Sequence, residues 1–167
     1  MSPPLSPLDR GLIGLNIAGA ALIFALLVLI NSDAIGRTWF ASPINGVHEI
    51  VELSVVAIVF LQLGDTVRIG RLTRSDGMLI WLRARAPAVE RALRVLFDLL
   101  AAIFMAILVW GGVPRLIESY ERGEFAGTAM VFTFPEWPVK LIIVVGASAA
   151  GIKLLSTAWQ RWRQPAR

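Results

Sequence analysis

A histidine and two glutamates lie close together within an apolar stretch of this 167-residue chain. His48, Glu49 and Glu52 fall within about one and a half turns of a helix, where imidazole and carboxylate groups can share a metal ion or a proton. His48 is the only histidine of the chain, so the second histidine of a zinc-protease helix is missing. Pairing of Glu49 and Glu52 with the cations Arg37 and Lys140 is therefore the favoured interpretation, and a proton or sodium relay stays open.

A second pair of ionisable residues, Asp98 and Lys153, lies near the ends of two other apolar stretches. Their similar expected depths allow an Asp98–Lys153 ion pair, and the alternative for Lys153 is a side chain that extends toward lipid headgroups. The chain has no cysteine, which excludes disulfides, thiolate metal sites and cysteine nucleophiles. A single histidine does not supply the two axial ligands of a membrane haem. The sequence thus predicts neither an enzyme nor a cofactor or metal in this chain.

The composition is that of a membrane protein. Hydrophobic residues make up 56% of the chain and charged residues only 17%, against roughly 25% charge in a typical soluble domain. No charged residue occurs between Gly11 and Ser32 or between Leu99 and Pro114, and about twenty uncharged residues are enough for a helix to cross a bilayer. The pI near 10.6 reflects arginines beside these stretches, which is typical of membrane orientation rather than nucleic-acid binding.

Four apolar stretches are long enough to span a membrane as helices. Their approximate bounds are residues 12–32, 44–64, 95–114 and 137–159. The first is longer than a signal-peptide core of about 7–15 residues, so we expect it to be retained. Gly111, Gly112 and Pro114 are expected to end the third stretch. The predicted fold class is all-α, a single membrane domain over residues 1–167 with four transmembrane helices.

The arginines are distributed unevenly between the two sides of such a protein. Eleven fall in the N-terminal segment, the connection between the second and third spans, and the C-terminal tail, whereas the other two loops hold three. Because cytoplasmic segments carry the excess of basic residues, we predict that both termini are cytoplasmic. The expected location is the bacterial inner membrane.

The connection between the second and third spans carries an amphipathic pattern over about residues 76–94. Apolar residues recur on one helical face and arginines on the other, as in a helix that lies at a membrane interface or against a partner. The residues that define this interfacial arm are Trp81, Val89, Leu93 and Leu96, with Arg91 and Arg94 opposite. Whether the arm only anchors the chain in membrane lipids or also contacts a partner stays open.

Two spans carry faces of small residues that allow close helix packing. The face in the first span consists of Gly14, Ala18, Ala21 and Ala25, and that in the fourth consists of Gly146, Ala147, Ala150 and Gly151. The sequence does not encode whether the neighbouring helix belongs to this chain or to another.

The order of features along residues 12–159 is similar to that of one known family of membrane subunits. The features are Asn31 and Arg37; Trp39, Phe40 and Pro43; Glu49; Gly64, Arg68, Gly70 and Asp76; Pro87 and Asp98; and Phe134, Pro135, Trp137, Lys140 and Gly146. On these residues the chain resembles the small membrane subunit, the Q or DctQ-type component, of tripartite ATP-independent periplasmic (TRAP) transporters.

The resemblance implies a scaffold subunit that does not itself bind substrate. Its partners would be a large membrane subunit, which carries the substrate and sodium sites, and a periplasmic binding protein that delivers an organic anion such as a carboxylate. The alternative function is a self-assembling four-helix exporter or channel. An anchor subunit of a membrane enzyme is disfavoured because the chain lacks cofactor ligands.

Overall fold

The computed structural model describes residues 6–70, 82, 85–127 and 133–163. Within these residues, four long helices account for almost all of the chain. They are α1 (Pro7–Phe40), α2 (Val47–Arg68), α3 (Pro87–Arg122) and α4 (Trp137–Arg163). Two strands of two residues each, β1 (Phe125–Ala126) and β2 (Phe134–Pro135), pair antiparallel between α3 and α4.

All four helices are long and apolar enough to cross a membrane, as the sequence predicts. Each extends beyond the C-terminal end of the apolar stretch from which it was predicted, because polar residues there continue the helical pattern, whereas α2 begins at Val47 rather than near Ile44. α1 begins at a capping box in which Ser6 and Asp9 bond each other's backbone N–H groups, with Pro7 in the first turn. It ends where Ala41 adopts a left-handed conformation with φ of 50°.

The third span does not end where its glycines and proline led us to expect. α3 continues through Gly111, Gly112 and Pro114 to Arg122, and it ends at Gly123 in a left-handed conformation. A proline inside a helix removes one N–H donor, and the carbonyl group four residues earlier then needs another partner. At the edge of the apolar stretch water can serve as that partner, so the proline does not stop the helix.

The described part of the interfacial arm belongs to the same helix as the third span. Residues 87–94 form the first two turns of α3 and continue into the span without a break. Val89 and Leu96 are half-exposed, and Arg94 forms an ion pair with Glu90 on its own helix. Trp81 and most of the arm before Pro87 lie outside the described residues.

The helices stand in an open row. α1 packs on α2, α2 packs on α4, and α4 packs on α3, whereas α1 and α4 touch at only a few residues. Within the apolar part of each helix, 11% of the residues are buried in α1 and 33% in α4, as expected for an edge and an inner position. The start of α1 and the end of α4 lie together at one end of the row, called the terminal end; the opposite end is called the loop end.

Small residues allow the inner helices to approach closely. A Cβ atom added to Gly146 of α4 would lie 2.3 Å from the carbonyl oxygen of Phe60 on α2, and one added to Gly64 would lie 2.4 Å from the side chain of Leu12. The face of small residues predicted for α4 therefore packs within this chain. The predicted face of α1 is exposed instead, and α1 contacts α2 through Gly19.

Candidate functional site

Ionisable side chains at the terminal end join helices that are distant in sequence. Lys153 Nζ on α4 lies 2.6 Å from Asp9 Oδ1 on α1, and both side chains are mostly buried. Asn16 on α1 donates a hydrogen bond of 2.8 Å to Asp65 Oδ2 on α2. Asp65 Oδ1 also accepts from Arg68 Nε at 2.6 Å. Because charged hydrogen bonds are stronger than neutral ones, these contacts hold α1 against its two neighbours.

Asp98 on α3 completes this set of contacts at the terminal end. Its side chain is only 1% exposed, and its Oδ2 lies 2.5 Å from Arg161 Nη1 on α4. The structure therefore does not form the Asp98–Lys153 pair that the sequence allows, because Lys153 is bound to Asp9 instead. Asp9 and Arg161 were missed from the sequence, since both lie outside the apolar stretches. We call the contacts Asp9–Lys153, Asn16–Asp65 and Asp98–Arg161 the terminal ties.

Arg37, a predicted partner of Glu49 and Glu52, binds another carboxylate. Its Nε lies 2.7 Å from Oδ2 of Asp33, one turn earlier in α1. Asp33 Oδ1 also accepts a hydrogen bond of 2.8 Å from the backbone N–H of Ile44, so this side chain fixes the loop between α1 and α2. The spacing of four residues between Asp33 and Arg37 is the signal that identifies this pair in the sequence.

Lys140, the other predicted partner, is bound near the hairpin between α3 and α4. Its Nζ lies 2.6 Å from Glu124 Oε2 and 3.0 Å from Glu136 Oε2. The backbone N–H of Glu136 donates to the carbonyl oxygen of Glu124, so the short strand pair brings both carboxylates to the lysine. The hydrogen bond from Lys140 holds the pKa of the Glu124 carboxyl below its usual value.

His48, Glu49 and Glu52 consequently do not meet the cations expected from the sequence. His48 and Glu52 are exposed and Glu49 is half-buried, and none of the three forms an ion pair with another described residue. Nor do they form, within the described part of the chain, a group that could hold a metal ion. The pairing of Glu49 and Glu52 with Arg37 and Lys140 is therefore wrong.

A shallow apolar groove runs along the contact between α3 and α4. Its volume is about 650 Å³. Its walls include Ala102, Met105, Ala106, Ala147, Ser148 and Gly151. The groove is open along its length and is lined almost entirely by apolar atoms, and the hydroxyl of Ser148 donates to the carbonyl oxygen of Val144 on its own helix. Its surface therefore suits lipid chains or another helix.

Comparison with known proteins identifies the family. The family model described as "Tripartite ATP-independent periplasmic transporters, DctQ component" matches residues 15–164, which include most of α1 and all of the other three helices. No curated protein and no solved structure matches the chain. The match confirms the resemblance found in the sequence, and with the four apolar helices it identifies a multi-pass protein of the inner membrane. The chain belongs to the DctQ family, the small membrane component of TRAP transporters, and is a transporter component rather than an enzyme.

Proposed function

We propose that this chain is the scaffold subunit of a TRAP-type secondary transporter. It pairs with a large membrane subunit that carries the substrate and sodium sites, and a periplasmic binding protein delivers an organic anion, such as a carboxylate, to the complex. The ion gradient drives uptake through the large subunit, while the small subunit stays fixed.

This proposal is supported mainly by the ion pairs that buried charged side chains form between helices. The ion pairs Asp9–Lys153 and Asp98–Arg161 each join two helices. These ionisable groups therefore stabilise the arrangement of the helices and do not line an ion pathway between them. A group that relays an ion must exchange its partner, whereas a buried charge pair resists separation because each charge would be left without compensation. A helix arrangement that is fixed by ion pairs and has long exposed apolar faces suits a subunit that stays rigid beside a larger membrane subunit.

The proposed orientation places the terminal end in the cytoplasm. The excess of arginines in the terminal segments and in the connection before α3 supports this side for both termini. The Glu124–Lys140 hairpin at the loop end would then face the periplasm. Residues 87–94 belong to the long helix α3. We therefore propose that only the part of the arm before Pro87 lies along the cytoplasmic interface.

Co-expression with the cognate large subunit tests the proposal. We expect a detergent-stable complex of the two chains, and sodium-driven uptake in proteoliposomes only when both chains and the binding protein are present. Liposomes with the large subunit alone provide the control. A homodimer of this chain that transports by itself would overturn the proposal in favour of a four-helix exporter.

A further inference from the structure

One face of α2 is exposed along the first half of the helix, from His48 to Val59, and carries a carboxylate. His48, Glu52, Val55, Val56 and Val59 recur at helical spacing, and all five are exposed. We call this face the α2 stripe. The exposed fractions of its valines are 50%, 38% and 55% in sequence order. α2 is an inner helix of the row, so this surface is not simply the edge of the protein.

Glu52 lies at a depth where a carboxylate needs a partner. α2 has 22 residues, and Glu52 lies about 8 Å from the middle of the helix at 1.5 Å per residue. The hydrocarbon layer extends about 15 Å to each side of its centre, so a helix that spans it carries Glu52 inside this layer. A charge there is costly unless it meets an opposite charge or water.

Three other carboxylates of the apolar helices already have such partners, whereas Glu49 in the first turn of α2 has none among the described residues. Asp33 is bound by Arg37, Asp65 by Arg68, and Asp98 by Arg161. Glu52 forms no ion pair with any residue in the described ranges, and the residues of the α2 stripe are exposed in the described part of the chain. An opposite charge for Glu52 is therefore absent from the described residues and would have to come from outside them.

We propose that the α2 stripe is the surface that packs against a transmembrane helix of the large subunit, and that a basic side chain of that helix pairs with Glu52. This inference rests on the proposed function and adds the location of the interface. The three valines suit this role because a β-branched side chain has few rotamers to lose on packing. The carboxylate selects the partner by charge, which valine packing alone does not do.

Two other exposed surfaces described above do not require a protein partner. The groove between α3 and α4 and the small-residue face of α1 are uncharged, so lipid chains can cover both at little cost. The α2 stripe differs because lipid chains cannot compensate the charge of Glu52.

A matched pair of tryptophan variants tests the interface without altering the interior of the chain. Val55 on the α2 stripe and Val28 on α1 are 50% and 52% exposed, so each accepts a larger side chain on its own helix. We expect Val55→Trp to lower the amount of large subunit that co-purifies by about tenfold, and Val28→Trp to leave it unchanged. Membrane levels of each variant provide the control for insertion.

Substitution of Glu52 tests the charge. We expect Glu52→Lys to abolish co-purification of the large subunit and Glu52→Gln to lower it less, because glutamine keeps the shape and a hydrogen bond. An acidic replacement of the basic partner residue in the large subunit should restore the Glu52→Lys complex. The chain has no cysteine, so Val59→Cys introduces its sole thiol. After this thiol is alkylated with a maleimide that carries a photoreactive group, illumination should cross-link Val59→Cys to the large subunit but should not cross-link Val28→Cys.

The possible results separate the inference from the proposed function. If the unaltered chain forms no complex, the proposed function fails and the inference fails with it. If the unaltered chain and both Val55→Trp and Glu52→Lys form the complex equally well, the inference alone is overturned. A Glu52→Gln complex that assembles fully but no longer transports would also overturn it, in favour of an ion relay through Glu52.

Discussion

At the terminal end of the row two ion pairs, Asp9–Lys153 and Asp98–Arg161, join different helices, whereas at the loop end the ion pairs join residues of one helix or join α4 to the adjoining hairpin. Asp9 and Lys153 are separated by 144 residues in sequence. By contrast, Arg122 at the loop end pairs with Glu118 one turn away in α3. The terminal end therefore fixes how the helices lie relative to one another, and the loop end fixes mainly the local course of the chain.

Among substitutions that test this comparison, we expect replacement of Arg161 to cause the largest loss of stability. Arg161→Met removes the charge that faces the almost fully buried Asp98, and loss of one partner of a buried ion pair costs on the order of 3 kcal/mol. Thermal unfolding of the purified chain in detergent measures the loss. Arg163→Met is the matched control, because Arg163 lies over the exposed ring of Trp159 and forms no ion pair with another helix among the described residues. Equal destabilisation by the two variants would contradict the special role of the terminal ties.

A smaller effect is expected for the tie between α1 and α4. Asp9→Asn and Lys153→Met, made singly and together, form a double-mutant cycle that isolates their interaction. Because both side chains are mostly buried, we expect a coupling free energy of about 2 kcal/mol, within the range for hydrogen bonds to charged groups. The same cycle on Arg122 and Glu118, which are exposed, should give about 0.5 kcal/mol or less. Coupling energies of similar size would remove the distinction between the two ends.

The smallest expected effect is a pH dependence at the loop end. The pKa of Glu124 in the folded chain lies below its usual value of 4.5, so its ion pair with Lys140 stabilises the fold above that pH and is lost as the pH falls through the lowered pKa. The unfolding midpoint of the unaltered chain should therefore fall in this acidic range more steeply than that of Lys140→Met. Identical pH profiles for the two chains would show that the Glu124–Lys140 contact contributes nothing to stability.

The sequence predicts the helices of this protein well because apolar length is a local property. The four spans and the close-packed face at Gly146 follow from residues that are near one another in the chain. Partner choice is not local. Counting residues along a helix gives the depth of Lys153, but it does not give the rotation of α4 about its axis or the neighbour that this rotation selects. For that reason Asp9, which lies before the first apolar stretch, was not identified as the partner of Lys153.

The α2 stripe also shows that the sequence predicts the depth of an ionisable residue but not its partner. The sequence identified Glu52 as an ionisable residue at membrane depth, and this much follows from its position in the second apolar stretch. Its exposure could not be predicted, because Arg37 and Lys140 were available in the sequence as partners. The structure assigns those cations to Asp33, Glu124 and Glu136.

The unbroken course of α3 has a mechanical consequence. Its 36 residues make a rod of about 54 Å, nearly twice the thickness of the hydrocarbon layer. Both ends of this rod extend past the membrane core, so a force applied to the first turn at Pro87 reaches Tyr120 at the far surface through one continuous piece of backbone. Within the rod, Pro114 is the position where a backbone hydrogen bond is missing. We therefore expect the helix to bend most easily at Pro114, which is the weakest point of the connection between the two membrane surfaces.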